Sequence, residues 1–114
     1  IHVTDWIPTH QLGDAVDLAI THGGEGTVQT SCVQGWPFIG IPLQLEQRFN
    51  VQRCVAFGSA RLVSQKEARR ADWAALVREA LADDVMRSRA RRVAELMKGL
   101  DGPGQAAEAI CKLL

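Results

Sequence analysis

Residues 18–30 read LAITHGGEGTVQT, and the fold turns on how this stretch is parsed. Leu18-Ala19-Ile20 is a brief apolar run that reads as a buried strand. Thr21 to Gly26 then bring a His, a Glu and the glycines Gly23, Gly24 and Gly26. Thr27 is a good helix N-cap type, and Val28, Cys32 and Val33 recur at helical spacing, so a helix should follow. A strand that enters a helix through glycines has two uses. It can be a phosphate cradle, in which main-chain N–H groups and the helix dipole hold an anion, or a tight turn with no ligand.

Working outward, Gly35 and Pro37 stop the helix, and Phe38-Ile39-Gly40-Ile41 reads as the next strand, closed by Pro42. A second helix is expected over Leu45 to Phe57, its period set by Phe49, Arg53 and Val55-Ala56 and its end by Gly58. Ala60 to Val63 reads as a last short strand. Upstream, Ile1-His2-Val3 alternates like a short strand, and Thr9 is placed to cap a helix over His10 to Val16. Downstream the pattern is helical. Trp73, Leu76, Val77, Ala80 and Leu81 form one stripe, and Met86, Ala90, Val93 and Met97 a second. Pro103 opens a last helix whose apolar face is Ala106, Ala109, Ile110 and Leu113. Strands alternating with helices, each strand apolar on both faces, predict an α/β chain: a short parallel sheet flanked by helices in a partial Rossmann-like three-layer domain, with a helical tail.

The 114 residues suit one domain, and an apolar fraction of 46% suffices for a core. Thirteen Lys and Arg balance thirteen Asp and Glu, so no global field attracts nucleic acid or an anionic membrane. The stretch Arg87-Ser88-Arg89-Ala90-Arg91-Arg92 spreads its arginines over an exposed helix side, with Asp83, Asp84 and Glu95 near enough to offset them. It carries no aromatic interleaving, and no nucleic-acid partner is expected. No run is long enough for a membrane span. The opening IHVTDW is no signal peptide and lacks an initiator Met, so the sequence reads as a piece of a longer or processed chain. Cys32, Cys54 and Cys111 are odd in number, far apart and outside any C-x-x-C, which reads as reduced thiols in a cytoplasmic protein. His2 and His10 have nothing beside them that suggests chemistry.

A dinucleotide fingerprint needs G-x-G-x-x-G. Gly24 and Gly26 supply the first pair, but position 29 is Gln, so the match is weak. The blocks around the glycines are more telling. In order they are D-W-I-P at 5–8, T-H-G-G-E-G-T at 21–27, Q-G-W-P-F-I-G-I-P at 34–42 and E-Q-R-F-N at 46–50. In this order and spacing the chain resembles the C-terminal, donor-binding half of GT-B glycosyltransferases that use nucleotide-diphosphate sugars: bacterial macrolide, sterol and plant UDP-sugar transferases. The resemblance is strong over about residues 1 to 64.

The resemblance implies a role for each matching position. Trp6, with Ile7 and Pro8, lies beside the nucleobase, and His22, Gly24, Gly26 and Thr27 surround the diphosphate. Glu46 and Gln47 bind sugar hydroxyls. A flat ring for a base, donors for phosphate, and an acceptor plus amide for hydroxyls suit those roles. Thr30 stands where plant members carry the Glu that holds the ribose, and Glu46 where Asp is commoner. Trp36, where Val is usual, is expected to change packing rather than chemistry. The resemblance further implies a UDP- or TDP-sugar donor with no metal and no cofactor. It implies that residues 1–114 are the C-terminal part of the donor domain, and that the first strands of that domain and the acceptor domain with its catalytic His lie outside this sequence. Such a segment transfers no sugar alone, and an exposed sheet edge invites a homo-oligomer or a domain swap. The alternative is a non-catalytic nucleotide-binding or assembly module of the same fold.

Overall fold

The computed structural model describes residues 1–114. Its centre is a parallel sheet of β1 (Ala19–Thr21), β2 (Phe38–Gly40) and β3 (Ala60–Leu62), in the spatial order of the chain. Ala19 sits opposite Phe38, and Phe38 opposite Ala60. The crossovers are α1 (Glu25–Gln34) and α2 (Leu45–Phe57). Both helices end on a left-handed glycine, Gly35 and Gly58, the residue type that enters that region without a Cβ clash.

Alternation along β2 assigns the two faces. Phe38 packs with Val28, Val51 and Ala60 under α1 and α2. Ile39 points to the other side, among Val63, Ala80 and Met86. That second layer is built from α3 (Gln65–Ala68), α4 (Trp73–Ala82) and α5 (Asp84–Met97), and α6 (Gly102–Cys111) closes the chain. Helices therefore lie on both faces of the sheet, and the three-layer α/β expectation holds. However, β1 is not the buried strand expected, since it is the edge strand and Ile20 is half exposed. The middle and later part of α5 pass the carboxyl ends of the crossover helices: its Ala94 lies against Gly35, and its Arg89 beside Gly58 and over the Phe57 ring.

Several local expectations are corrected. Ile1 to Val3 forms no strand; it is exposed and pairs with nothing, and so short an alternation has no stability without a neighbouring ladder. The helix expected over His10 to Val16 is two 3-10 turns, Thr9–Gln11 and Gly13–Ala15, separated at Leu12, and the second opens on Gly13 at a positive φ. The first crossover helix begins two residues before Thr27, because Gly24 takes the extended N-cap conformation. The inward face of α2 is Gln47, Val51 and Cys54; Phe49, Arg53, Val55 and Ala56 are exposed. Val51 wins because it fits against bare backbone. A Cβ on Gly40 would lie 2.5 Å from its methyls, and one on Gly23 would lie 2.5 Å from Cγ2. The short α3 was not expected, although S-Q-K-E at 64–67 forms a capping box.

Candidate functional site at the carboxyl edge of the sheet

In open parallel sheets the carboxyl ends of the strands face the ligand side, because the crossover helices start there. Here that edge carries the glycine turn after β1 and the starts of α1 and α2. The three glycines differ in what they do. Gly23 has φ +87°, and an added Cβ would stand 2.9 Å from the Gln47 carbonyl, so it is needed to seat α2. At Gly24 an added Cβ would stand 2.6 Å from His22 Nε2, so the imidazole lies over this residue. At Gly26 a Cβ would meet nothing within 4 Å, so that side of the first helical turn is open space.

Hydroxyls lock the turn. The Gly23 N–H donates to Thr21 Oγ1 (3.3 Å), Thr21 Oγ1 donates to Thr27 Oγ1 (2.8 Å), and Thr27 Oγ1 donates to the Gly24 carbonyl (3.0 Å). No side chain caps α1, and Gly24 cannot supply one. The first-turn N–H groups are therefore left without a side-chain partner at the positive end of the helix dipole.

His22 and Thr27 line one cleft of about 540 Å³, together with Thr9, Thr30 and Trp36 along the outer edge of β1. Thr30 Oγ1 donates to the Gly26 carbonyl (2.9 Å), which holds its hydroxyl on the helix. Trp6, Ile7 and Pro8 are not in the cleft wall. Trp6 is 75% exposed, so its ring presents a free face rather than filling a core. The arm that bears it is tied down further along: Gln34 Nε2 donates to the His10 carbonyl (2.7 Å), and Trp36 Nε1 to the Gly13 carbonyl (2.8 Å). Trp36 is thus a buried fastener, in keeping with the packing role expected of it.

Glu46 and Gln47 sit in the first turn of α2. Glu46 is exposed, whereas Gln47 is buried with its Oε1 accepting from the Leu43 N–H (2.9 Å). No buried side-chain nitrogen or oxygen lacks a partner, so the Gln47 amide nitrogen, which has no protein acceptor, reaches the surface. Sequence reasoning assigned nothing to Asn50. Its Nδ2 donates to both the Gly23 carbonyl (3.2 Å) and the Glu46 carboxylate (2.7 Å), bridging the glycine turn and the start of α2. The only signal in the sequence was its i+4 position after Glu46.

The family described as "Erythromycin biosynthesis protein CIII-like, C-terminal domain" matches residues 1–113. The chain is 32% identical over 114 residues to an oleandomycin glycosyltransferase of Streptomyces antibioticus, covering 96% of this chain and 26% of that protein. The solved glycotransferase of kitacinnamycin superposes with a TM-score of 0.79 at 26% identity, over 99% of this chain and 29% of the other. The glycosyltransferase VinC, solved in complex with DTDP, shares the fold with a TM-score of 0.79 at 18% identity, over 96% of this chain and 28% of its own. The chain thus spans about a quarter of the length of the relatives it matches. No helix is long and apolar enough to cross a membrane. A parallel sheet with its glycine turn opening α1, and a match along nearly the whole chain, agree with the order of sequence blocks: the chain belongs to the erythromycin biosynthesis protein CIII-like C-terminal domains of GT-B glycosyltransferases.

Proposed function

We propose that this chain is the donor-binding part of a glycosyltransferase that moves a sugar from a UDP- or TDP-sugar to an acceptor hydroxyl. The observation that carries the proposal is the α1 start, which no side chain caps and whose first-turn Thr27 lines the cleft with His22. An anion there would meet main-chain N–H donors and the imidazole, and Gly26 would let a phosphate approach the backbone. The exposed Trp6, with Ile7 and Pro8, would stack on the base, and Glu46 with the free amide of Gln47 would take sugar hydroxyls. DTDP in VinC, a protein of the same fold, agrees with a nucleoside-diphosphate donor.

In this reading the acceptor hydroxyl is deprotonated by a base in the remainder of the parent protein. It attacks the anomeric carbon as the bond to the diphosphate breaks, with inversion. The N–H groups of α1 and His22 stabilise the charge that develops on the leaving phosphate. The chain alone binds donor and transfers nothing.

The test is calorimetric titration of the full-length parent with UDP and with TDP. His22→Ala should weaken both, Trp6→Ala should weaken binding in a base-dependent way, and Glu46→Ala should affect the nucleotide-sugar more than the free nucleotide. Unchanged affinity in the first two variants would defeat the assignment. A parent that binds donor yet transfers sugar to no acceptor would favour the assembly-module reading.

A further inference from the structure

Cys32 and Cys54 are 22 positions apart in sequence, yet their sulfurs lie 3.9 Å apart, one on α1 and one on α2. Both are half-buried, whereas Cys111 is exposed on α6. They share the wall of a cleft of about 380 Å³ between the two helices. This cleft is separate from the one that holds His22. Its charged groups are Glu25 on α1 and Arg53 on α2, and α5 contributes the uncharged Met97. From this geometry we propose that the two thiols are a redox-modifiable pair, converted by hydrogen peroxide into a disulfide that staples α1 to α2.

The chemistry balances within the pair. The Cys54 thiolate attacks peroxide, an S–O bond forms, the O–O bond breaks and hydroxide leaves. Cys32 then attacks the sulfenyl sulfur: the S–S bond forms, the S–O bond breaks, and the departing hydroxide takes the Cys32 proton as water. Peroxide is reduced and the two sulfurs are oxidised. At 3.9 Å either thiol can donate to the other; with Cys32 as the donor the Cys54 thiolate is favoured, down to about 7, and Cys54 attacks first. Cys32 is pushed up by the same hydrogen bond and is the resolving thiol. The sulfurs have to close from contact distance to about 2.05 Å, which asks for side-chain rotation or a small helix shift. Stapling would fix the spacing of the helices whose other ends carry the glycine turn and Glu46.

The test treats the full-length protein with stoichiometric hydrogen peroxide at neutral pH, blocks free thiols with iodoacetamide, digests it without reductant and maps the peptides. Cleavage after Arg48, Arg53 and Arg61 separates the two cysteines, so a link is visible as one joined mass. The expected result is a Cys32–Cys54 peptide that dithiothreitol reverses. Labelling of both cysteines should fall together by roughly tenfold while Cys111 keeps its label. In Cys32→Ser the link should vanish, and dimedone should capture a sulfenic acid on Cys54. Undiminished labelling of the pair, a link to Cys111 instead, or Cys54 sulfinate and Met97 sulfoxide as the only products would each overturn the proposal.

Discussion

The two halves of the molecule treat their helix starts in opposite ways. In the α/β half, α1 begins at Gly24 and α2 at Gln44, and neither has a side-chain cap. In the helical tail every start is closed by its own residue: Ser64 on α3, Asp72 on α4, Asp83 on α5 and Asp101 on α6. A missing cap typically costs a helix about 1 kcal/mol. The tail helices meet their own needs with their own residues, and α3, α4 and α5 among them cover the sheet. The crossover helices leave donors free on the one edge where a ligand can take them. On the proposed reading, the difference separates residues that hold the fold from residues available to a donor, and the following predictions probe one side or the other.

The largest effect is expected at Gly23. Gly23→Ala places a Cβ against Val51 and the Gln47 carbonyl at a positive φ. The full-length protein should lose about 2–4 kcal/mol in chemical denaturation. A variant as stable as the parent would show that this glycine is not structural. Next comes Gly26→Asp, where the added Cβ meets nothing. Removing a helical glycine and adding a first-turn acid should leave stability unchanged or raise it by up to about 1 kcal/mol. The same carboxylate would oppose a diphosphate, so UDP and TDP affinity should fall roughly tenfold or more. Stability and affinity moving down together would erase the distinction between the two halves at this position.

On the tail side, Asp83→Ala removes a cap on the Met86 N–H (2.9 Å) and an ion pair with Arg61 (3.0 Å). Thermal unfolding should report a lower midpoint, while nucleotide affinity stays put. A drop in affinity would mean the tail reaches the site. The smallest effect is on pH. The Met86 N–H and Arg61 hold the Asp83 carboxyl below its ordinary range, and Ser64 does the same for Glu67. Their contribution is present above the ordinary carboxylate range and is lost as pH falls through the depressed values. Acidification below about pH 4 should therefore destabilise the parent more than Asp83→Ala, as followed by circular dichroism. Identical acid profiles would remove Asp83 from the account.

The alternation of strands and helices was legible because β1 and β2 lie in short apolar runs and each crossover helix stops at a glycine, while Arg61 interrupts the apolar run of β3. The stripes of α4 and α5 were legible for a related reason, since Met86 and Ala90 face inward along one periodic face. By contrast, Ala106, Ala109, Ile110 and Leu113, read as the apolar face of the last helix, are all exposed. The charge pattern there was also readable in part. Arg87 pairs with Asp84 (2.7 Å) and Arg92 with Glu95 (3.1 Å), but Asp83 turns to Arg61 on β3 instead. What escaped depends on partners distant in sequence. The inward face of α2 is set by Gly23 and Gly40, which leave room for Val51, while Phe49 stays exposed. Asn50 acts through a carbonyl 27 positions upstream, and the thiol pair joins residues that composition alone reads as isolated. The resemblance named candidate site residues from their spacing, but it could not supply the hydrogen bonds that hold the glycine turn.

One consequence follows from the two bonds that anchor the N-terminal arm. Gln34 and Trp36 grip it at the far end of α1, while the glycine turn opens the near end. The ten residues of α1 therefore act as a ruler of ~15 Å between the two attachment points. One residue inserted into that helix would lengthen the ruler by ~1.5 Å and rotate one end against the other by ~100°. The arm bearing Trp6 and the turn bearing His22 would then fall out of register with no residue of either changed.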